Sequence, residues 1–421
     1  MKNESESLSS QRQIRQALFY MVLVGLALRL VTALFAYKPL LDPAEDYFGF
    51  GWEAGRVGRA LALGHGFASP YNGNTGPTAA LPPLYPLFVG GIFKLFGIYT
   101  AASALVILTI QCITSAITCI PIYFVAQRTF GPRVARMAGW IWAFFPYAIA
   151  ISAGTIWSTS LSALTMALLL LLALRLEEGA GWRDWLWLGL LAGVIGLHNP
   201  TILPLVAALV IWIWFRLRRR GQNCIPQAVV AAAIAVLFLA PWVVRNYRVF
   251  GCFIPMRSNL GLHLYVGNTL DASEKWHADL DPPHSPRELN EMMQLGEIAY
   301  MQHKKEQVFA FIRQHPGVYA WLCFKRVVDF WTGIWNLWPS YLWANLGESL
   351  SIPLCTAVSL LAFIGLRRAF QRDRTTAWAY AICLLVYPIT YYLTTYEIPY
   401  RHPLDPVLVI LAAAGITRMP R

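Results

Sequence analysis

Long apolar runs recur from residue 17 to the C-terminus, and they constrain the fold more than any other feature. A hydrocarbon core about 30 Å thick requires about 20 apolar residues for one helical crossing. Backbone polar groups find no water there, so a crossing segment must be a helix or part of a closed barrel. A barrel would show short alternating strands rather than long runs. We therefore predict an all-α polytopic membrane protein.

The composition agrees with this prediction. Hydrophobic residues make up 57% of the 421 residues. Charged residues make up only 13%, about half of the ~25% typical of soluble domains. This balance excludes a disordered protein, a disulfide-stapled mini-domain and an ordinary cytosolic enzyme. The seven cysteines are scattered without a CxxC pair, and no residue spacing indicates a metal site.

About ten transmembrane helices are predicted. The first, 17–37, lacks a small-residue cleavage site and is expected to be a retained signal anchor with a cytoplasmic N-terminus. The stretch 82–97 is broken by Pro86, Gly90 and Lys94, so we expect it to be re-entrant or interfacial. The other nine are expected near 100–127, 134–153, 156–176, 184–198, 200–216, 226–244, 348–366, 376–395 and 403–418.

Lysine and arginine number 34 against 22 acidic residues, a formal charge of +12. The arginines cluster at the ends of apolar segments, for example at 216–220 and 367–374. If 82–97 does not cross, all such clusters fall on one side, which the positive-inside rule makes cytoplasmic. This distribution argues against nucleic-acid binding. It predicts a multi-pass protein of the plasma membrane with both termini in the cytoplasm.

Three regions follow from this topology. Residues 1–244 form an N-terminal transmembrane module with an acidic first outer loop at 38–99. Residues 245–347 form an extracytoplasmic or interfacial region, and 348–421 hold the C-terminal transmembrane helices. Within 245–347, the string 285–288 (SPRE) predicts a helix start, with helical periodicity to about residue 314. The aromatic stretch 318–343 suits an amphipathic helix at the membrane interface.

The first outer loop holds two candidate general bases, Asp46 and Glu53. A carboxylate near the membrane face can accept a proton, and its pKa would rise with burial and fall beside Arg56, one helical turn from Glu53. The alternative is a solvated loop in which Glu53 and Arg56 form a weak ion pair.

Cationic residues follow at later outer positions. Arg245 and Arg257 open the large outer region, against the positive-inside trend, and arginine suits phosphate through its bidentate fork. Snorkelling or lipid contact would explain them equally well. Arg401 and His402, beside Glu397, could bind an anion or form a local ion pair.

The string 198–200 (HNP) lies between two apolar segments. A proline-broken turn at membrane depth can line a cavity, but such a string is more often a tight turn, which we favour.

The whole chain resembles bacterial members of the GT-C glycosyltransferase superfamily, grouped with dolichyl-phosphate-mannose–protein mannosyltransferases and aminoarabinose lipid A transferases. Four features carry the resemblance, through their order along the chain and their placement in the predicted topology. They are the acidic loop leading to 64–69 (GHGFAS) and 82–86 (PPLYP), the string 126–131 (AQRTFG), the segment from 241–247 (PWVVRNY) to 267–268 (GN), and the string 400–403 (YRHP).

The resemblance implies a bundle with large outer loops that transfers a sugar, with inversion, from a polyprenyl-phosphate donor at the extracytoplasmic face of a bacterial inner membrane. The acceptor would be a lipid, glycan or protein. Glu53 is the first choice for the base and Asp46 the second, although the adjacent Asp–Glu pair frequent in the family is not reproduced. Arg245, Arg257 and Arg401 would bind the phosphate, and Arg56, His402, Tyr400 and Asn268 would line the pocket. The resemblance implies no particular cofactor, and it leaves open whether a divalent cation takes part.

Two other functions compete with this one. A flippase or transporter for lipid-linked sugars would place ionisable residues near the midplane and show paired repeats. No clear repeat is found, and most charges lie outside the apolar runs. A non-catalytic assembly subunit would tolerate replacement of Glu53.

Overall fold

The computed structural model describes residues 2–36, 50–179, 181–270, 278–335 and 350–417. These residues form α-helices joined by turns and short 3-10 segments, and they contain no strand beyond one isolated bridge between Ala68 and Pro77. The predicted all-α fold is therefore confirmed for the described part of the chain.

The structure describes eleven α-helices in the N-terminal part of the chain. They are α1 Lys2–Ala36, α2 Trp52–Ala62, α3 Leu84–Phe96, α4 Ala101–Ile117, α5 Cys119–Phe130, α6 Pro132–Ala143, α7 Pro146–Gly154, α8 Thr159–Leu176, α9 Trp182–His198, α10 Leu203–Arg219 and α11 Ile225–Phe250. The remaining described helices are α12 Leu260–Gly267, α13 Pro286–Leu295, α14 Glu297–Gln314, α15 Pro316–Thr332, α16 Ser351–Arg372, α17 Arg374–Val386, α18 Ile389–Leu393, α19 Ile398–Arg401 and α20 Asp405–Ile416.

Seven helical stretches of the described chain are long and apolar enough to cross a membrane, which confirms a polytopic membrane fold. They are Gln11–Phe35, Ala101–Phe130, Thr159–Leu176, Pro200–Arg219, Ile225–Phe250, Ser351–Arg372 and Arg374–Leu393. The bent pair α6 and α7 makes an eighth if it is one broken span.

Seven is fewer than the predicted ten because one expected span is the bent pair α6 and α7 and two others form shorter helices. Helix α9 has 17 residues and α20 has 12, lengths of about 26 Å and about 18 Å at 1.5 Å per residue. Helix α3, within the stretch predicted to be re-entrant or interfacial, has 13 residues, or about 20 Å. All three are shorter than a hydrocarbon core about 30 Å thick.

Local sequence signals explain several helix ends. The Ser285 side chain accepts a hydrogen bond from the backbone N–H of Glu288, with Pro286 in the first turn, so the predicted helix start is confirmed. The predicted single helix to residue 314 is instead two helices, because Gly296 adopts a φ of 78° and ends α13. Helix α14 does end at Gln314, before Pro316.

The bundle is held by close helix packing and by one buried arginine. Helices α16 and α20 approach closely at Gly365 and Gly415, where an added Cβ would lie 1.8 Å and 2.3 Å from backbone oxygens of the facing helix. Arg29, fully buried in α1, donates to the Ser115 hydroxyl and to the carbonyls of Gly25, Trp142 and Ala143. These bonds tie α1 to α4 and α6 and satisfy a charge that hydrocarbon could not solvate.

Candidate active site

One cavity of about 350 Å³ lies where the short elements outside the long apolar helices meet. The start of α2, the turn after α9, the segment before α12, the loop before α13 and the α18–α19 region all contribute to its walls. Its ionisable lining residues are Glu53, Tyr71, Tyr85, His198, Arg257, His263, Asp281, His284, Tyr391, Glu397 and Tyr400.

Glu53 lies in the first turn of α2 and lines this cavity. The helix starts abruptly because Gly51 adopts a left-handed φ of 85°, which a side chain would strain. Burial and the nearby negative charge of Asp281 raise the pKa of Glu53 to about 7. At neutral pH its carboxyl group is therefore divided between the protonated and ionised forms.

Positive charges partly oppose this shift. Arg56 is buried one turn along α2, and its charge and that of His284 lower the pKa of Glu53. The His284 ring lies 3.5 Å from the Asp281 carboxylate, and the hydrogen bond that the ring donates to that carboxylate raises the pKa of His284. Glu53 therefore titrates among three charged groups, two of which come from the loop before α13.

Arg257 lines the same cavity, and it forms no ion pair with any carboxylate of the described residues. His263 lies on the same cavity wall and interacts with the charge of Arg257. Burial and the charge of Arg257 lower the pKa of His263 to about 3, so this ring is neutral at physiological pH. A guanidinium without a counter-ion in a cavity is a site for an anionic ligand.

The backbone beside Arg257 is held by buried polar contacts. The Ser258 N–H donates to the Ala79 carbonyl at 2.8 Å, and its hydroxyl donates to Glu297 at 2.7 Å. Glu297 also accepts from the Ala79 N–H at 2.8 Å. Glu297 therefore joins the segment between α2 and α3 to the segment that carries Arg257, a role for which the sequence offered no signal.

Arg245 and Asn268 do not line the cavity. Arg245 donates to the carbonyls of Phe67 at 2.8 Å and Thr78 at 2.6 Å, which fixes the end of the first outer loop. Asn268 is fully buried and accepts a hydrogen bond of 3.0 Å from Arg326. The side chains of both residues form hydrogen bonds with other groups of the protein. Both residues therefore hold neighbouring segments together rather than contact a ligand in the cavity.

Arg401 and His402 are also buried away from the cavity lining. Arg401 contacts the Cys355 sulfur at 3.0 Å and lies 3.5 Å from Asp405, while His402 contacts Asp405 at 3.0 Å. The sequence suggested a local ion pair with Glu397, but the carboxylate that both side chains contact is that of Asp405. Tyr400 does line the cavity, with its ring stacked on that of Tyr391 at 5.0 Å.

Three other sequence predictions concern Asp46, a metal site and the string 198–200. Asp46 lies outside the described residues. No group of three or more His, Cys, Asp or Glu within the described ranges is arranged to hold a metal ion. The string 198–200 is a turn, as favoured from the sequence, and it also lines the cavity. Asp281 and His284 were missed as site residues because their loop was recognised only by its composition.

Comparison with known proteins supports the same fold class. Residues 80–244 match the family model described as dolichyl-phosphate-mannose-protein mannosyltransferase. No curated protein matches the sequence significantly.

Solved structures of the Archaeoglobus fulgidus oligosaccharyltransferase share the fold. The form complexed with Zn and sulfate matches at a TM-score of 0.53 and 12% identity, over 95% of this chain and 48% of that one. AglB from Archaeoglobus fulgidus, in complex with an inhibitory peptide and a dolichol-phosphate, matches at 0.51 and 13%, over 94% and 50%. The chain thus spans about half the length of these structures. These matches show a shared fold, and the match to the family model is confined to residues 80–244.

Proposed function

We propose that this protein transfers a sugar from a polyprenyl-phosphate donor to an acceptor hydroxyl or amine, with inversion, at the extracytoplasmic face of a bacterial inner membrane. The observation that carries the proposal is that Glu53 and Arg257, from distant parts of the sequence, line one cavity. The match of residues 80–244 to a mannosyltransferase family model supports the same chemistry.

In this mechanism the acceptor oxygen or nitrogen attacks the anomeric carbon of the donor. A bond forms from the acceptor to that carbon as the bond from the carbon to the phosphate oxygen breaks. The polyprenyl phosphate leaves with the electron pair, and the acceptor proton passes to Glu53. Attack opposite the leaving group inverts the anomeric configuration.

Arg257 would bind the donor phosphate and stabilise the negative charge that develops as it leaves. A fixed guanidinium in a water-poor cavity stabilises such charge more strongly than solvent does. Tyr400, beside Arg257 on the cavity wall, would complete the phosphate end of the pocket. Arg245 and Arg401, proposed from the sequence as phosphate ligands, are assigned no donor contact because their guanidinium groups bond within the protein.

Glu53 would act as the general base. A base works best when its pKa is near the working pH, because it is then both available and strong enough to accept a proton. The pKa of about 7 meets this condition. Asp46 stays the second candidate for the base.

The test uses membranes that contain the full chain, supplied with labelled dolichyl-phosphate-mannose and with the glucosyl and aminoarabinosyl counterparts. We expect label to leave at least one lipid and enter an acceptor. Glu53→Gln should reduce this transfer by about 100-fold or more. Glu306→Gln, at an exposed position in α14, is the matched control and should leave it unchanged.

Normal transfer in the Glu53→Gln protein would overturn the assignment of the base. Movement of intact lipid-linked sugar between leaflets, without cleavage and in a protein-dependent manner, would favour the transporter instead. Retention of the anomeric configuration in the product would contradict the single-displacement step.

A further inference from the structure

His198 ends α9 and lines the cavity with a ring whose tautomer is fixed by its surroundings. Its Nδ1 lies 2.9 Å from the Val194 carbonyl oxygen, and a carbonyl oxygen can only accept a hydrogen bond. Nδ1 therefore carries the proton and donates. In the neutral ring, Nε2 is left as an acceptor.

That acceptor is buried, and within the described residues it has no hydrogen-bond partner. His198 is only 5% exposed and forms no ion pair with a described carboxylate, so the neutral ring is favoured. A buried acceptor without a partner costs about 1–3 kcal/mol. A hydrogen bond from a hydroxyl or N–H group of a bound ligand would remove this cost.

The neighbouring wall presents a second buried polar atom. Asn199 donates to the Ser162 hydroxyl at 3.0 Å, which joins the turn after α9 to the first turns of α8. Thr159, one turn before Ser162, lines the cavity, and its hydroxyl has no partner among the described residues. Two residues that line the cavity therefore each carry a buried polar atom without a partner among the described residues, an acceptor on His198 and a hydroxyl on Thr159, a pattern that suits a ligand with several hydroxyl groups.

We propose that His198 is a sugar-recognition residue, whose Nε2 accepts a hydrogen bond from a hydroxyl of the donor's sugar, with Thr159 contacting a neighbouring hydroxyl. This inference rests on the proposed function and deepens it by separating two subsites. Arg257 would bind the phosphate, which every polyprenyl-phosphate donor shares. His198 would bind the sugar, which distinguishes one donor from another.

The experiment measures binding of two kinds of lipid to the purified full chain. One is dolichyl phosphate without a sugar, and the other is dolichyl phosphate carrying mannose, glucose or aminoarabinose. In the wild type, at least one sugar lipid should bind more tightly than dolichyl phosphate. His198→Phe should lower the affinity for the sugar lipid about tenfold relative to the affinity for dolichyl phosphate, and it should leave dolichyl phosphate binding unchanged. His198→Gln, which keeps an acceptor oxygen, should retain part of the difference in affinity between the sugar lipid and dolichyl phosphate.

Two controls separate the possible failures. Arg257→Ala should weaken binding of both lipids by the same factor, and His65→Phe, at an exposed position, should change neither. If dolichyl phosphate does not bind, or binds independently of Arg257, the proposed function fails. If dolichyl phosphate binds through Arg257 but no sugar adds affinity, or if His198→Phe keeps the sugar advantage, only the role of His198 is overturned.

Discussion

Glu53 and Asp281 line one cavity, where burial and the charge of Asp281 raise the pKa of the Glu53 carboxyl group to about 7. Glu53 belongs to α2, whereas Asp281 belongs to the loop before α13. The region between α12 and α13 therefore supplies a charge that adds to the effect of burial on the proposed base.

This relationship predicts the pH dependence of sugar transfer. A base with a raised pKa is protonated, and inactive, below that pKa, so kcat/KM should fall as the pH drops through about 7. Asp281→Asn removes a negative charge and lowers the pKa of Glu53. The fall of kcat/KM on the acid side of the pH profile (the acid limb) should therefore move to lower pH. Asp279→Asn, an exposed change in the same loop, should leave the limb in place. An unchanged acid limb in the Asp281→Asn protein would contradict the interaction between the Asp281 charge and Glu53.

Replacement of Arg56 should have the opposite effect. Its charge lowers the pKa of Glu53, so Arg56→Gln should raise that pKa and move the acid limb to higher pH. Activity at pH 9 should recover more completely than activity at pH 7, because the base is then ionised in both proteins. Equal losses at both pH values would indicate that Arg56 acts by packing rather than by charge.

Arg257 should determine affinity for the donor. Arg257→Ala removes the cavity's guanidinium and should cost about 2 kcal/mol, or ~30-fold in the apparent KM for the lipid donor. Arg248→Ala changes an exposed arginine near the end of α11 and serves as the control. Kinetics that vary donor concentration distinguish the two variants, and an unchanged KM in the Arg257 variant would exclude a phosphate contact.

Arg401 should determine stability rather than donor affinity. It contacts the Cys355 sulfur, the Ser359 hydroxyl and Asp405, and its removal leaves a buried carboxylate without that partner. Such a loss typically costs about 3–5 kcal/mol. Arg401→Ala should therefore lower the thermal midpoint in detergent, whereas Arg367→Ala, at an exposed site on α16, should not. A stable Arg401→Ala protein with a raised donor KM would restore the phosphate role expected from the sequence.

Close packing between α16 and α20 predicts strong sensitivity at Gly365. An alanine Cβ there would lie 1.8 Å from the Leu411 carbonyl oxygen, so the two helices would have to separate. Gly365→Ala should destabilise the protein by about 3 kcal/mol, at the upper end of overpacking costs. Gly91→Ala, where no atom lies within 4 Å of the added Cβ, should be tolerated. Thermal unfolding of the two variants gives the comparison.

The sequence by itself determined the membrane class, the helical fold and the start of α13, because these depend on local runs and on residues three or four positions apart. It also singled out Glu53 and Arg257, since charges beside long apolar runs are conspicuous. It could not separate Arg257 from Arg245 and Arg401. All three are arginines near helix ends, and their roles differ only in which atoms surround them.

Tertiary structure decided that separation. Packing gives Arg245 two loop carbonyls and gives Arg401 a cysteine and two oxygen-bearing side chains, while Arg257 faces the cavity. The same packing brings Asp281 to Glu53. Hydrogen bonds and charge interactions act over a few ångströms in space, and no periodicity in the chain records which distant segments come that close.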